Sequence, residues 1–379
     1  MMDPAISLLK DLVAIDSVNP LLTPGRRGEG EIAMFVADHM RRLGLDVEIE
    51  EVEAGRPNVI GVLEGREPGR SLMVCGHLDT VGVEGMPDPF GAAERGGRLY
   101  GRGAQDMKGG VAAMIDAARL LAVEGFPKGR LIVAAVIDEE FASLGADALV
   151  KRWTADAAIV TEPTDLEIGV GHKGFAWLDI EVRGRAAHGS RPKDGRDAII
   201  RMGRVLNALE GLDRALQSRE AHPLMGTGSL HASIIAGGHE LSSYPDQCLL
   251  RMERRTVAGE NGETALHEVR QILEAQASAD PEFDADVSLG FSRPAYEVAA
   301  DHELPAGLRA AAAASGLDIR TSGFSFWTDA AILAGAGIPS VLFGPGGAGL
   351  HSSEEYVIVE EVLRCRDILA RFARQWGSS

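Results

Sequence analysis

Four short, continuously apolar segments that end in polar residues constrain the fold of this chain more than any other feature. They are NVIGVLEG at 58–65, SLMVCGHLD at 71–79, RLIVAAVIDEE at 130–140 and AAIVTEP at 157–163. A strand that is apolar on both faces must be buried on both, which is typical of a parallel sheet covered by helices. Because a helix is predicted between the second and third segments, at about 107–124, the pattern favours an α/β architecture with a largely parallel sheet.

The flanking regions predict how the chain divides into domains. Residues 3–45 are predicted to be helical, from ISLLKDLVAI and GEGEIAMFVADHMRRLG. Residues 172–289 have the pattern of a smaller α+β domain, because segments in which apolar and polar residues alternate, such as SLHASIIAGG, are interleaved with helical segments. From residue 290 the pattern of helices and buried apolar strands returns. We therefore predict a split catalytic domain, 1–171 and 290–379, interrupted by an inserted domain at 172–289.

Composition excludes several classes of function. The formal net charge of −18 argues against binding to nucleic acid or to anionic lipid. The first residues lack a basic region before an apolar stretch, so we predict no secretory signal, and the most apolar window, 111–123, is too short to cross a membrane. The three cysteines, Cys75, Cys248 and Cys365, show no CxxC spacing. A cytoplasmic protein without a disulfide framework is expected.

The polar residues at the ends of the apolar segments are candidates for metal ligands. His77 and Asp79 follow a strand, and a neutral imidazole held by a nearby carboxylate is a good zinc ligand. Asp106 lies in the glycine-rich segment GRGAQDMKGG, and its two carboxylate oxygens could bridge two cations. An Asp before a helix is also a common N-cap, so this residue has a purely structural explanation as well.

The remaining acids have similar double interpretations. The three acids of IDEE, at 137–140, repel one another unless cations or protons compensate, and a charged loop is the structural alternative. Glu162 ends another strand, and His351 follows the glycine-rich segment GPGGAG. Individually these residues are unremarkable. Together with His77 and Asp106 they form a ligand set for two cations coordinated by oxygen and nitrogen.

The segments GHLDTV, GAQDMKGG, DEE, TEP and HSSEEYV, in this order, resemble the zinc-peptidase family of acetylornithine deacetylase, succinyl-diaminopimelate desuccinylase, aminoacylase and carboxypeptidase G. The resemblance covers essentially the whole chain, including the insertion. It implies two Zn²⁺ per subunit, with Co²⁺ and Mn²⁺ as alternatives, and a ferredoxin-like insertion that serves as a dimerisation or lid domain. By this resemblance, His77 and Glu162 bind one cation, Glu140 and His351 bind the other, and Asp106 bridges the two. Asp79 supports His77, and Glu139 is the general base.

The resemblance also implies substrate contacts. His188, in a segment that resembles the family's AH-x-S-x-P motif, is expected to polarise the scissile carbonyl, in the partner's active site in dimeric members. Arg255 is expected to bind a substrate carboxylate. Ser242, Asp329 and Gly347 lie in further segments assigned to the substrate pocket. Ala258 and Ser242 depart from the usual Pro and Asn, so fine substrate recognition is expected to differ.

The predicted reaction is hydrolysis of an amide in an N-acyl amino acid or small peptide. Deacylation of the acetylornithine or succinyl-diaminopimelate type leads, followed by glutamate-releasing carboxypeptidase and by di- or tripeptidase activity. A non-catalytic metal-binding or regulatory protein on the same scaffold is the alternative of another class. A nucleotide-binding oxidoreductase would require a glycine fingerprint, and GRGAQD does not satisfy it.

Overall fold

The structure is a computed structural model that describes residues 2–299 and 301–378. Its helices are α1 (Pro4–Ala14), α2 (Gly30–Arg42), α3 (Gly109–Glu124), α4 (Leu144–Arg152), α5 (Ala198–Gln217), α6 (Gly262–Ala279), α7 (Glu303–Ala313), α8 (Ala330–Gly335) and α9 (Val359–Ser378). A π-helical turn at Ala104–Lys108 precedes α3.

The described strands form three sheets and are two to eleven residues long. They are β1 (Asp46–Glu53), β2 (Arg56–Glu64), β3 (Glu67–His77), β4 (Ala93–Arg95), β5 (Arg98–Tyr100), β6 (Lys128–Val136), β7 (Ala157–Val160), β8 (Ile168–His172), β9 (Gly174–Arg183), β10 (Ser229–Gly237), β11 (Gln247–Thr256), β12 (Asp284–Arg293), β13 (Tyr296–Glu297), β14 (Thr321–Phe324), β15 (Ser340–Leu342), β16 (Gly347–Ala348) and β17 (Tyr356–Ile358).

The chain divides into two compact units. The first comprises residues 1–170, 298–322 and 328–379, and the second comprises 171–297 and 323–327. The predicted end of the insertion, at 289, falls inside β12, and this strand continues to Arg293 in the second unit. The sequence pattern did not predict β12, because its apolar residues are too sparse to stand out as a buried strand.

The main sheet of the first unit runs in the order β1-β2-β6-β3-β7-β15-β8. Its centre is parallel, as predicted, because β3 pairs in parallel with β6 and β7, and β7 pairs in parallel with β15. Its flanks are antiparallel: β1 and β2 form a hairpin, β2 pairs with β6, and β15 pairs with β8. The prediction of an α/β fold is confirmed, with a mixed rather than a wholly parallel sheet.

The predicted helical region 3–45 is two helices with a loop between them. Residues 15–29 are not helical, since Pro20 lacks an amide donor and Gly25 and Gly28 adopt positive φ angles of 93° and 70°. Within this loop, the side chain of Asn19 accepts a hydrogen bond from the backbone N–H of Leu21. The loop therefore has a defined turn that fixes Asn19.

Helix α3 is almost completely buried in the first unit. Small residues allow it to approach the sheet: a Cβ atom at Gly110 would lie 2.0 Å from the carbonyl oxygen of Thr161, which directly follows β7. Because the π-helical turn with Asp106 directly precedes α3, this close packing also fixes the turn beside the ends of the parallel strands.

The second unit has a βαββαβ arrangement formed by β9, α5, β10, β11, α6 and β12. Its antiparallel sheet has the order β10-β11-β9-β12, which is that of a ferredoxin-like fold. Alternate residues of β9 are buried against apolar residues of α5 and α6, whereas those between them face solvent. The predicted α+β character of the insertion is confirmed.

Among the described helices, none has both the length and the apolar character needed to cross a bilayer.

Candidate metal centre

The ends of three neighbouring parallel strands place the predicted ligands at one edge of the sheet. His77 is the last residue of β3, Glu139 and Glu140 follow β6, and Glu162 follows β7. Since β3 pairs in parallel with both β6 and β7, their carboxyl ends lie side by side. The loop that carries Asp106 completes this edge, and its Asp106–Met107 peptide bond is cis.

One group of ligand atoms surrounds His77. Its Nε2 atom lies 3.2 Å from Oδ1 of Asp106, 3.9 Å from Oε2 of Glu139 and 3.9 Å from Oε1 of Glu162. Potential ligand atoms of His77, Glu139 and Glu162 all lie within 4.8 Å of one another. That spacing is compatible with a single cation between them, at metal–ligand distances near 2 Å.

A second group surrounds His351. Its Nε2 atom lies 3.2 Å from Oε2 of Glu140 and 3.5 Å from Oδ2 of Asp106. The two carboxylate oxygens of Asp106 are therefore directed to different histidines, Oδ1 to His77 and Oδ2 to His351. His77, Asp106 and Glu140 also offer ligand atoms within 4.8 Å of one another. This divided geometry is what a carboxylate that bridges two cations requires.

The carboxyl groups of the site carry strongly shifted pKa values. Burial and the charge of Glu162 raise the pKa of Glu139 well above its usual range, and burial raises that of Glu162 as well. Burial and the charge of Asp106 raise the pKa of Glu140 to about 7. Acids this close to one another need compensating positive charge if all of them are to ionise.

The nearby acids raise the pKa values of the two histidines of the site, His77 and His351. Hydrogen bonds with Asp106 and Glu140 raise the pKa of His351 to about 10. Burial opposes the charging of His77, but hydrogen bonds with Asp106 and Asp79 raise its pKa well above the usual value. Protonated imidazoles thus compensate the negative charge of these acids, a role that bound cations could also fill.

Two buried oxygens test whether the site fits cations. Oε1 of Glu140 and Oε1 of Glu162 have no hydrogen-bond partner within the described ranges. A buried carboxylate oxygen without a partner is unfavourable by about 1–3 kcal/mol or more. A divalent cation bound beside each oxygen would satisfy it, so the donor set of imidazoles and carboxylates fits Zn²⁺, Co²⁺ or Mn²⁺.

Asp79 makes a more extensive set of contacts than expected. The Nδ1 atom of His77 lies 3.0 Å from the backbone oxygen of Asp79 and 3.6 Å from its carboxylate Oδ1. The carboxylate accepts hydrogen bonds of 3.1 Å from the backbone N–H groups of both Glu139 and Glu140. Asp79 therefore contacts His77 and also orients the acidic loop that follows β6.

Glu355 is a buried residue that the sequence interpretation missed. Its carboxylate accepts hydrogen bonds from the backbone N–H groups of Gly103, Gln105 and Asp106 and from the guanidinium of Arg102. It thereby holds the loop that carries Asp106. The available signal was its place in HSSEEYV, as the second of two acids before a short apolar strand.

Asp329 and Gly347, two of the predicted substrate contacts, also belong to the first unit. Asp329 is buried immediately before α8, and its charge contributes to the raised pKa values of Glu139 and Glu162. Gly347 begins β16, where a Cβ atom would lie 2.0 Å from the backbone oxygen of Tyr356. Asp329 is therefore electrostatically coupled to the acids of the centre, whereas Gly347 is required by a close backbone approach.

The other predicted contacts belong to the second unit. His188 lies in an exposed loop, 2.8 Å from the Ser190 hydroxyl, and the backbone oxygen of Ser242 accepts a hydrogen bond from Gly189. The loops that carry His188 and Ser242 are thus adjacent. Arg255, on β11, donates to Glu253 at 2.6 Å. Its guanidinium is held by this ion pair within the unit.

Arg254 has a structural explanation. The structure pairs its buried guanidinium with Glu260 and Glu268, at 3.1 and 3.0 Å. Arg254 therefore stabilises the junction between β11 and α6.

Residues 73–375 match the model of peptidase family M20/M25/M40. The chain is 33% identical to an acetylornithine deacetylase of Myxococcus xanthus, over 97% of this chain and 96% of that one. It is 30% identical to an N-formyl-4-amino-5-aminomethyl-2-methylpyrimidine deformylase of Bacillus subtilis (strain 168), over 98% and 94%.

A solved structure shares the fold. The YXEP protein of Bacillus subtilis, described as a dinuclear metal-binding peptidase of the M20 family, superposes with a TM-score of 0.76 at 18% identity, over 99% of this chain and 98% of that one. The family match covers most of the chain, and the relatives align over nearly their whole length. The chain belongs to peptidase family M20/M25/M40 and is a metal-binding hydrolase that acts on amide bonds.

Proposed function

We propose that this protein removes a small acyl group from the nitrogen of an amino acid, in a reaction that depends on two divalent cations, with Zn²⁺ as the native metal. The observation that carries the proposal is the division of Asp106, one carboxylate oxygen to His77 and the other to His351. His77 and Glu162 would hold one cation, Glu140 and His351 would hold the other, and Asp106 would bridge them. When bound, the cations supply Lewis-acid chemistry that activates water and polarises the amide carbonyl.

Glu139 is the proposed general base. It is the acid of the cluster that the cations leave free, it is buried, and its pKa is raised well above the usual range. A carboxylate next to the attacking water can take its proton and return it to the leaving amine. His188 would donate to the developing oxyanion, as its exposed position in the second unit allows.

Two lines support a small acyl group with an amino-acid-like substrate. Two relatives at 30% identity or more are named as a deacetylase and a deformylase, and both names denote release of a short acyl group from nitrogen. Arg255 offers a guanidinium for a substrate carboxylate, and Asp329, Ser242 and Gly347 remain the other proposed contacts. We expect acetylornithine-type compounds as the preferred substrates, with succinyl-diaminopimelate-type compounds as the next candidates.

A panel assay tests the proposal. Purified protein is given N-acetyl, N-formyl and N-succinyl amino acids, di- and tripeptides, and peptides with C-terminal Glu, with added Zn²⁺ or with a chelator. We expect turnover of short N-acyl amino acids with Zn²⁺, loss on chelation, and recovery when metal is restored. Preferential hydrolysis of peptides would replace deacylation by peptidase activity. Turnover that is insensitive to chelation would contradict the metal-dependent mechanism.

We also propose that the second unit forms a homodimer through β10. This strand ends the sheet of the unit, its side chains are largely exposed, and Ile234 and Ile235 are 59% and 52% exposed. An exposed apolar edge strand is a template for pairing with another strand. Light scattering of the intact protein should give twice the chain mass, and Ile234→Lys should shift it towards the monomer. A monomeric wild-type protein would exclude this dimer.

A cytoplasmic location is proposed from the cysteines. Cys75, Cys248 and Cys365 are all buried and free. Free thiols are typical of a reducing compartment. Fractionation of the source cells with an antibody against the protein would test this location.

A further inference from the structure

Four buried polar side chains lie behind the acidic loop and have no part in the proposed chemistry. They are Asn19, Glu29, Arg56 and Asp138, and none is more than 5% exposed. We refer to them as the Asn19 network. Burial of charged and amide groups is unfavourable unless they are paired. A cluster of this kind next to a catalytic loop therefore requires an explanation.

Arg56 connects the two acids of the network. Its Nε and Nη2 atoms donate to the two carboxylate oxygens of Glu29, at 2.6 and 2.7 Å, and Nη2 also donates to Oδ1 of Asp138 at 2.9 Å. The planar guanidinium thus serves two buried carboxylates at once, while its Nη1 atom donates to the more exposed Glu53 at 2.6 Å. An ammonium group at this position would lack that fork geometry.

Asn19 connects the network to the metal centre. Its side-chain N–H₂ group donates to Oδ1 of Asp138 at 3.0 Å and to Oδ2 of Asp79 at 2.8 Å. Asp79 in turn accepts the backbone N–H groups of Glu139 and Glu140. An unbroken series of hydrogen bonds thus leads from Arg56 through Asp138, Asn19 and Asp79 to the proposed base and the proposed ligand next to it.

The backbone of the acidic loop is held from the same side. Asp138 adopts a positive φ angle of 67°, which a short polar side chain tolerates better than most. Its backbone N–H donates to Glu29 at 3.1 Å, and its carbonyl accepts the N–H of Ala142 at 3.1 Å. The turn that directs Glu139 and Glu140 to the centre therefore depends on Glu29 and Asp138.

We propose that Asn19 and Arg56 are positioning residues for this hydrolase: they fix the turn at Asp138 and the carboxylate of Asp79, and through them the placement of Glu139 and Glu140. This inference rests on the proposed function, in which Glu139 is the base and Glu140 a metal ligand. It extends that function to residues with no contact to substrate or cation. Partners of this kind commonly change activity or metal affinity by about 10- to 100-fold when replaced.

Asn19→Asp is the sharpest test, because it keeps the shape of the side chain and replaces the donor with an acceptor that faces two carboxylates. We expect kcat at saturating substrate and Zn²⁺ to fall by about 10- to 100-fold, while KM stays within about threefold of wild type. The matched control is Asn207→Asp, the same replacement at an exposed position of α5. It should leave both constants unchanged.

Arg56→Lys is the second variant, and it keeps the charge while removing the fork. Zn²⁺ affinity, measured by competition with a chromophoric chelator, provides a readout that needs no substrate. We expect it to fall by about tenfold in both network variants, because the turn also places Glu140. The control is Arg130→Lys, at an exposed arginine that pairs with Glu64 on the neighbouring strand.

The outcomes separate the two proposals. Reduced kcat or Zn²⁺ affinity in the folded network variants supports the positioning role, and Arg56→Lys decides alone if Asn19→Asp does not fold. Lower thermal stability with unchanged kcat and Zn²⁺ affinity per folded molecule would overturn it, since a merely structural network predicts that result. Wild-type protein that hydrolyses no amide of the panel would contradict the proposed function, and Zn²⁺ affinity would still report on the network.

Discussion

The two units differ in how they bury ionisable side chains: the first unit gathers several at its strand ends, whereas in the second the buried Arg254 is paired with Glu260 and Glu268. The second unit is built on an apolar core, in which Leu178 and Ile180 of β9 face the helices while Asp179 between them is exposed. At the strand ends of the first unit, His77 and Asp79 are as completely buried as those apolar residues. A stable fold requires buried apolar residues, but packing alone does not explain why His77 and Asp79 are buried.

The buried ionisable residues of the first unit indicate which part of the molecule carries the function. Apolar burial stabilises a protein by about 25 cal/mol per Å² of surface removed from water, whereas buried charges are unfavourable unless something compensates them. In the first unit the compensation is provided by imidazoles, by Arg56 and, in the proposed holoenzyme, by two cations. Four perturbations distinguish the buried charges of the first unit from the apolar core of the second.

Glu139→Gln should remove the base without removing the metals. We expect kcat to fall by about 10²- to 10⁴-fold, the range that a general base contributes, with two Zn²⁺ per chain retained. Steady-state kinetics combined with metal analysis measures both quantities. Glu48→Gln, on the first strand, is a control that should behave as wild type. Near wild-type turnover in Glu139→Gln would refute its assignment as base.

Leu178→Ala should act on stability and leave the metal centre unchanged. Truncation of a fully buried leucine lowers the free energy of unfolding by about 2–5 kcal/mol. Leu249→Ala, at a 44% exposed position of the neighbouring strand, is the matched control and should have a small effect. Denaturant unfolding and Zn²⁺ titration would be compared. A large loss of Zn²⁺ affinity in folded Leu178→Ala would break the contrast between the units.

Metal removal should make stability dependent on pH. The pKa of Glu140 is raised to about 7 and that of His351 to about 10, so each group binds more protons when folded than when unfolded. Their stabilising contribution is complete below the unfolded pKa values and is lost as the pH rises through the folded ones.

From about pH 5 to pH 9, the melting temperature of the metal-free protein should therefore fall relative to that of the Zn²⁺-loaded protein, a comparison in which the opposite pKa shifts of Lys108 and His172 cancel. Glu140 alone accounts for about 3 kcal/mol, at 1.36 kcal/mol per pKa unit. Scanning calorimetry with and without Zn²⁺ checks this, because cations should flatten the profile near neutral pH. A metal-free protein that becomes more stable, relative to the Zn²⁺-loaded protein, as the pH rises over this range would contradict the electrostatic account.

Glu355→Gln should have the smallest effect of the four. The new amide places a donor where the carboxylate accepts N–H groups from Arg102 or the Asp106 loop. We expect Zn²⁺ affinity to fall by about tenfold, which is about 1.4 kcal/mol. The adjacent and exposed Glu354→Gln is the control. Equal affinity in the two variants would show that the loop does not need Glu355.

Much of the metal centre could be predicted from sequence because its signals are local. His77, Glu140 and Glu162 each follow a buried apolar segment, and neighbouring parallel strands bring such ends together whatever the details of packing. In the second unit, the segment SLHASIIAGG made β10 readable as a strand, although most of its residues are exposed and do not alternate in burial. The weaker pattern of β12 was not readable, and the predicted domain boundary therefore fell inside a strand.

The α/β class, the α+β insertion and the candidate ligands were predictable from the amino-acid sequence, since strand periodicity and strand-end residues depend only on near neighbours. Tertiary structure alone decided which atoms meet: Asn19 reaches Asp79 across 60 positions and Asp138 across 119, and Glu355 reaches Asp106 across 249. No local pattern encodes these partners, because a hydrogen bond is directional and is fixed only when packing has placed both groups.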